Sequence, residues 1–301
     1  MKKISFVIPT KDRPSELRRL IESLMRQTRR PDQVIIVDSG RTPAAGIEKE
    51  FRILPIRSLS YSPPSAAGQR NAGIAAAAPD ADLIGFLDDD VVLEDRALAQ
   101  MMNFWDSAPG DIGGASFNLV NGSRPSLAWL KYLPLSERLG LYKKQAGMIL
   151  PSGFQTIVQF LPCDDVVQWF PASASVWRKN LLSRFRFDEW FEGYSYLEDV
   201  DFCHRIGKVC RLMIVADAKY VHRPAPSGRP EAFLFGVREV KNRLYLVRKH
   251  PDFSVAKCYT ALLLRIMISL VSAVQEKKID YIPRISGNIV ALLESVLAPP
   301  S

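Results

Sequence analysis

Three carboxylates stand side by side at Asp88, Asp89 and Asp90, directly after the apolar run "LIGFL" at 83–87. Like charges this close repel, and a buried carboxylate without a partner is costly. Such a triplet needs a cation or a set of hydrogen-bond donors. Hard ions such as Mg²⁺ and Mn²⁺ take oxygen ligands, commonly one or two carboxylates plus substrate phosphates. Carboxylates at i and i+2 beyond a strand can address one ion, or an ion and a neighbouring hydroxyl. A solvated turn, or a cap for a helix over "LEDRALAQMM", uses the same residues without any ligand.

Three further groups carry chemistry. In "LEDVD" (197–201), Glu198 and Asp199 adjoin Asp201. A carboxylate beside a reacting hydroxyl serves as general base, and acids at a helix start also serve the dipole. His222 in "YVHRP" follows an apolar run, where a neutral imidazole can complete a metal shell. In "AGQRNAGI" (67–74), Gly68 and Gly73 permit close approach while Arg70 and Asn71 offer donors, a pattern that suits phosphate at a helix start. The string "DDDVV" also matches DxDx[TV], the nucleophile motif of haloacid-dehalogenase-type phosphohydrolases. That motif normally follows the first strand of its domain, and here a third or fourth strand precedes it.

These residues need elements to hold them. "KISFVIPT" (3–10) reads as a buried strand, "PSELRRLIESLMRQT" (14–28) as a helix with Leu17, Leu20, Ile21 and Leu24 on one face, and "DQVIIVDSG" (32–40) as a second strand. Strand, helix and strand within about 40 residues predict a parallel sheet. "ILPIRSLSY" (53–61), "SAAGQRNAGIAAAA" (65–78) and "ADLIGFL" (81–87) continue as strand, helix and strand. Ligands bind at the carboxyl ends of such strands. Thr10, Asp38 and Asp88–Asp90 therefore share one edge. Residues 111–122 read as a strand or hairpin and 123–162, with Trp129, Tyr132 and Tyr142, as a loop–helix insertion. Residues 166–182 read as strand, small-residue turn and helix, 196–209 as a loop entering a helix, and 211–223 as a strand. Helices follow at 231–250, 255–274 and 286–297.

Of 301 residues, 47% are apolar, enough for a full core. The net charge of +8 is uneven: Arg223 to Arg265 holds nine Lys and Arg against three acids. That balance favours anionic partners. The basic helix at 231–250 and the apolar one at 255–274 predict peripheral membrane contact. A span would need about 20 apolar residues and would place Arg265 in the bilayer at about 2.5–3.5 kcal/mol, so a packed or interfacial helix is expected. Cys163, Cys203, Cys210 and Cys258 lack zinc-ligand spacing and read as reduced, buried thiols. No apolar core of signal-peptide length follows Lys2 and Lys3. A cytoplasmic protein, at the inner face of a membrane, is expected.

In order, "SFVIPTKDRPSELRRLIESLMRQT", "VIIVDSG", "GQRNAGI", "FLDDDV", "YSYLEDVDFCHRI" and "YVHR" resemble family 2 glycosyltransferases with the GT-A fold, across residues 3–250. The resemblance implies an α/β fold, a Rossmann-like mixed sheet flanked by helices. It implies a catalytic domain over 1–250, with a nucleotide-sugar half at 1–122 and an acceptor-side half at 123–250, then a helical extension at 251–301. The implied reaction moves a sugar, with inversion, from a nucleoside-diphosphate donor to an acceptor hydroxyl. A UDP- or dTDP-sugar, a glycan or lipid-linked acceptor, and Mn²⁺ or Mg²⁺ are the implied partners, as in bacterial-type polysaccharide or glycolipid assembly. By this resemblance Asp38 contacts base or ribose, Pro9, Thr10 and Arg13 line the nucleotide pocket, and Arg70 and Asp89 join them. Asp88 and Asp90 form a DxD element, Asp90 on the metal and Asp88 toward ribose or metal. His222 faces metal or diphosphate, and Asp199 is the catalytic base. No QxxRW follows "ED", and "KNRLYLVRKH" (241–250) resembles single-addition enzymes, including rhamnosyltransferase-like members. The alternatives are nucleotidyl transfer, a DxD phosphohydrolase, and a basic nucleic-acid-binding protein. No zinc knuckle, RRM-like aromatic signature or helix-turn-helix supports the last, and no nucleic acid is expected as partner.

Overall fold

Strand β1 (Ile4–Thr10) is buried at every position. It is followed by helix α1 (Pro14–Met25) and strand β2 (Gln33–Asp38), which is buried at all but its first residue. Strands covered on both faces read as continuous apolar runs, the pattern of a parallel sheet with helices on each side. Pro14 suits the first turn of α1, where its missing N–H has no partner to lose. A computed structural model of the chain describes residues 1–41, 46–122, 137, 142–158, 160–225, 231–275 and 281–297. The insertion expected over 123–162, with Trp129 and Tyr132, falls largely outside these residues.

The chain continues through α2 (Ile47–Glu50), β3 (Ile56–Ser60), α3 (Ala66–Ala76), β4 (Leu83–Leu87), β5 (Val91–Leu93), α4 (Ala97–Ser107) and β6 (Ile112–Leu119). Then come β7 (Asp165–Val167), β8 (Ala174–Arg178), α5 (Lys179–Leu182), α6 (Glu198–Gly207) and β9 (Arg211–His222). One mixed sheet runs in the order β3-β2-β1-β4-β8-β6-β9-β5, with β7 paired to β9. Strands β3, β2, β1 and β4 are parallel. Strand β8 is antiparallel to both neighbours, β4 and β6.

Residues 111–122 hold a single strand, one of the two forms expected there. Residues 166–182 hold two strands before the short α5, because Ala174–Arg178 pairs as an inner strand of the sheet. All four cysteines are free thiols, and Cys163 is exposed where burial was expected.

The chain divides into two compact units, Met1–Gly122 with Val158–Gly228, and Ser123–Ile157 with Arg229–Ser301. The first holds the sheet. The second holds α7 (Ala232–Lys249), α8 (Val255–Gln275) and α9 (Tyr281–Leu297). Residues 229–250 thus group with the C-terminal helices, on the other side of the boundary expected at 250. Helix α9 starts five residues before the predicted 286, with Pro283 in its first turn.

Helices α7 and α9 meet backbone to backbone. A Cβ on Gly236 would lie 2.1 Å from the Arg284 carbonyl oxygen, and one on Gly287 would lie 2.1 Å from that of Phe233. Neither obstacle is a side chain that can swing aside. The contact is locked by Asn288, which donates to the Gly236 carbonyl, and by the Arg284–Glu239 ion pair. We expect Gly287→Leu to force the helices apart and destabilise the helical unit by about 1–3 kcal/mol, the usual range for overpacking. Gly110→Ala, with open space around its Cβ, should leave the thermal unfolding profile unchanged. An unaltered profile for Gly287→Leu would refute the close contact.

Candidate active site

Thr10 closes β1 in register with Asp38 at the end of β2, and Asp38 is in register with Ser60 at the end of β3. Strand β4 runs parallel to β1 and ends at Leu87, so Asp88–Asp90 leave from the same edge. This is the ligand edge of an open α/β sheet. His222 reaches it differently. It ends β9, which is antiparallel to β5, and pairs with Val91, next to Asp90.

The three aspartates have three surroundings. Asp89 turns inward, 3% exposed, where it accepts hydrogen bonds from Thr10 Oγ1 at 2.7 Å and Arg13 Nη1 at 3.0 Å. Burial pushes its pKa up to about 6, against the pull of Thr10 and Arg13. Asp89, Thr10 and Arg13 were expected at the nucleotide. In the structure their mutual hydrogen bonds form a brace between β1 and the end of β4, and Arg13 Nη1 also lies 3.8 Å from Asp90. Pro9, also expected there, is buried beyond the last β1–β4 pair.

Asp90 accepts from His222 Nε2 at 3.1 Å and from the Ala225 N–H at 3.3 Å. Burial would raise its pKa, but the hydrogen bond and charge of His222, the Ala225 N–H and Arg13 together hold it below the ordinary carboxylate value. His222, expected to face metal or diphosphate, lies at this same edge with its Nε2 against Asp90. A histidine so placed can orient that carboxylate. Asp88 is the most accessible of the three, 34% exposed at its side chain. Its backbone N–H donates to Ser173. Asp38 is nearly buried and accepts from the Gly40 N–H at 2.7 Å.

Arg70 sits at the centre. It lies on α3, which Ser65 caps by accepting from the Gly68 N–H. Gly73 lets α3 pack tightly on β1, since a Cβ there would fall 2.1 Å from Val7 Cγ1. The Arg70 guanidinium, 3% exposed, bonds Asp88 at 2.8 Å and Glu198 at 2.5 Å. Burial favours loss of its proton, but the two carboxylates outweigh that and hold it firmly charged. The Phe187 ring lies 5.4 Å from it and stacks on Phe202. Asn71 fixes that loop through both the N–H and the carbonyl of Phe187, and also bonds Glu189. Arg70 Nη1 and Nη2 and Asn71 Nδ2 are therefore engaged by protein groups, while Arg70 Nε is buried without a hydrogen-bond partner among the described residues.

Helix α6 starts at Glu198, straight after two non-glycine residues in the left-handed region, Ser195 at φ 51° and Leu197 at φ 79°. Such backbone costs about 1–3 kcal/mol each and clusters at functional sites. Asp199, half-buried, accepts from the Val200 N–H in the first turn. Burial pushes its pKa up to about 6 despite the charge of Arg70 and that N–H, and Asp88 adds to the rise. Burial, then Asp199, likewise pushes Glu198 upward. Asp201 is fully buried and paired with Arg205, a structural use. The bridging role of Glu198 was missed in the sequence, where only its adjacency to Asp199 shows.

Six carboxylates (Asp38, Asp88, Asp89, Asp90, Glu198, Asp199) thus line an edge with two guanidiniums, Arg13 and Arg70. This donor set fits a hard divalent cation in charge and in ligand chemistry. At this edge Asp88 and Asp90, spaced i and i+2, are carboxylates whose chemistry would suit one.

A family model described as "Glycosyl transferase family 2" matches residues 5–161. The O-antigen chain rhamnosyltransferase RfbN of Salmonella typhimurium is 32% identical over 111 residues, 36% of this chain and 34% of that protein. The match thus spans about a third of that curated relative. Two solved structures share the fold. S. aureus TarS 1-349 in complex with UDP-GlcNAc superposes with a TM-score of 0.59 at 17% identity, covering 98% of this chain and 81% of that one. The mannosyltransferase PcManGT from Pyrobaculum calidifontis, in complex with GDP-Man and Mn2+, gives 0.55 at 13% identity, covering 99% and 88%.

Removing Arg70 strands two carboxylates. Arg70→Met should destabilise the sheet unit by about 3–5 kcal/mol, as for one broken partner of a buried pair. Arg70→Met with Glu198→Leu should recover part of the loss, measured by chemical denaturation. Full additivity of the two changes would refute the bridge.

Proposed function

The chain belongs to glycosyl transferase family 2, and from that premise we propose that it transfers a sugar from a nucleoside-diphosphate donor to an acceptor hydroxyl, with inversion and with a divalent cation. The observation that carries the reading is the excess of carboxylates along one sheet edge, closed by a half-buried Asp199 at the start of α6. A diphosphate cannot approach so anionic an edge unless a cation balances both. Asp90, set by His222, and the more open Asp88 would hold Mn²⁺ or Mg²⁺. When bound, that ion supplies Lewis-acid neutralisation of the departing diphosphate.

Asp199 is the general base. It takes the proton of the acceptor hydroxyl as that oxygen bonds to C1 of the sugar. The bond from C1 to the diphosphate oxygen breaks on the opposite face, and its electron pair leaves with the nucleoside diphosphate. One displacement needs a base and no enzyme nucleophile. An inverting glycosidase follows the same logic with water in place of the acceptor. Arg70 keeps Asp88 and the start of α6 in place while this happens. Asp38 lies at the same edge for contact with base or ribose.

The donor is proposed to be a UDP- or dTDP-sugar and the acceptor a glycan or lipid-linked saccharide, in the cytoplasm. The rhamnosyltransferase relative favours a deoxyhexose, and the UDP-GlcNAc and GDP-Man neighbours support a nucleoside-diphosphate sugar of some kind. A thermal-shift screen of UDP-, dTDP- and GDP-sugars with and without Mn²⁺ identifies the donor, since a ligand of the native state raises its stability.

Two predictions follow from the roles. Asp90→Ala should abolish the metal-dependent part of nucleoside-diphosphate binding, read by calorimetry. Binding unaffected by metal in the unsubstituted protein would refute the cation site. Asp199→Asn should abolish transfer while leaving donor binding nearly unchanged. The base works ionised, and its pKa is raised to about 6. Activity should therefore be level above that pH and fall about tenfold per unit below it. Release of pyrophosphate in place of nucleoside diphosphate would instead establish nucleotidyl transfer.

A further inference from the structure

Helices α8 and α9 are apolar on two sides. Their inner stripes, with Cys258, Leu262 and Ile266 on α8 and Ile285 and Ala291 on α9, are buried within the helical unit. Other apolar positions on both helices are exposed and form outer stripes. Leu263, Met267, Leu270 and Val274 recur at spacings of three and four on α8, Met267 being 62% and Val274 79% exposed. Leu293 and Val296 belong to the corresponding stripe of α9. A helix apolar all round is normally covered by more protein or by lipid. The charges of these helices lie off the outer stripes. Arg265 is exposed and borders a small, partly open cavity with Glu239, Arg284 pairs with Glu239, and Glu294 pairs with Lys241.

The distribution of charge says what covers the stripes. The helical unit carries sixteen Lys and Arg against seven Asp and Glu, a net +9, while the sheet unit carries twenty-four against twenty-five. All the excess charge of the protein lies in the unit with the apolar face. A second copy seated on that face would bring +9 against +9. An anionic bilayer offers the opposite sign to the rim and an acyl boundary to the stripes.

We propose that the outer face of α8 and α9 docks in the plane of an anionic lipid bilayer. Helix α8 is long and apolar enough to cross one, with a mean hydropathy of 1.6 over Val255–Val274. Its inner stripe, however, is committed to the core with Val240 and Leu244 of α7, and Arg265 sits at its middle. Two helices in contact, each with one apolar side in the core and another exposed, suit a surface. This surface stands whether or not the sugar-transfer reading holds, because none of its residues belongs to the sheet edge.

The test is sedimentation of the full chain with sucrose-loaded vesicles of phosphatidylcholine alone, or of phosphatidylcholine with phosphatidylglycerol. We expect at least about tenfold stronger partitioning to the anionic vesicles, weakened by salt. Met267→Glu with Leu293→Glu should reduce it about tenfold with thermal unfolding unchanged. Lys257→Glu, exposed at the start of α8, should weaken only the anionic component. Three results would overturn the proposal. One is equal binding by the double variant, or by neutral and anionic vesicles. Another is self-association in lipid-free buffer that the double variant abolishes, which assigns the face to a second copy. The third is retention on membranes after high-salt and alkaline carbonate washes, which assigns α8 to a span.

Discussion

The structure of the sheet edge depends on one buried cation. Arg70 lies with its guanidinium between Asp88 and Glu198, which are 18 and 128 residues away in the chain. A charge taken out of water must be paired, and losing one partner leaves the other stranded. Helix α3, the end of β4 and the start of α6 are therefore committed to one arrangement. The aromatic floor strengthens the commitment: Phe187 meets Arg70, Phe202 and Phe86, and Asn71 holds the Phe187 backbone at both ends. The left-handed residues Ser195 and Leu197 persist because this frame fixes the chain on either side of them.

One guanidinium is too little charge for the carboxylates around it. Asp89 is relieved by Arg13 and Thr10, and Asp90 by His222. Asp88 and Glu198 share Arg70, and Asp199 is held by the backbone N–H of Val200 within Arg70's field. Burial, with a smaller push from the charge of Asp88, raises the pKa of Asp199 to about 6, so it is a stronger base than a free aspartate and still ionised at neutral pH. Under the proposed reaction, the charge deficit at this edge is what a divalent cation beside the accessible Asp88 would offset.

Much of this was legible in the sequence. The parallel half of the sheet showed in the apolar runs at 3–10, 32–40 and 81–87, because strands buried on both faces cannot hide their pattern. The common edge of Thr10, Asp38 and Asp88–Asp90 followed from chain direction alone. Two things did not show. Ala174–Arg178 is short and follows "PAS", and its insertion between β4 and β6 depends on long-range pairing that no local period reports. The division of labour within Asp88–Asp90 was also hidden, since three identical side chains in a row differ only in which way the turn points each one. Only the structure separates the inward Asp89 from the open Asp88. In the same way, Glu198 reads as a neighbour of Asp199 until Arg70 is seen on it.

The distribution of charge between the units separates two kinds of binding. At the sheet edge the ionic contacts are short and buried, so dissolved ions screen them little. On the helical unit the excess of Lys and Arg acts across solvent toward a surface, and salt weakens it over a Debye length of about 10 Å at 0.1 M. Under the proposed contacts, ionic strength would therefore act unequally, leaving the Arg70 frame and the donor site largely intact while weakening the attraction of the helical unit to an anionic layer. The net −1 of the sheet unit also matters here. A strongly basic sheet unit would compete for the same anionic surface and blur the orientation of docking, whereas a nearly neutral one leaves the choice of face to α8 and α9.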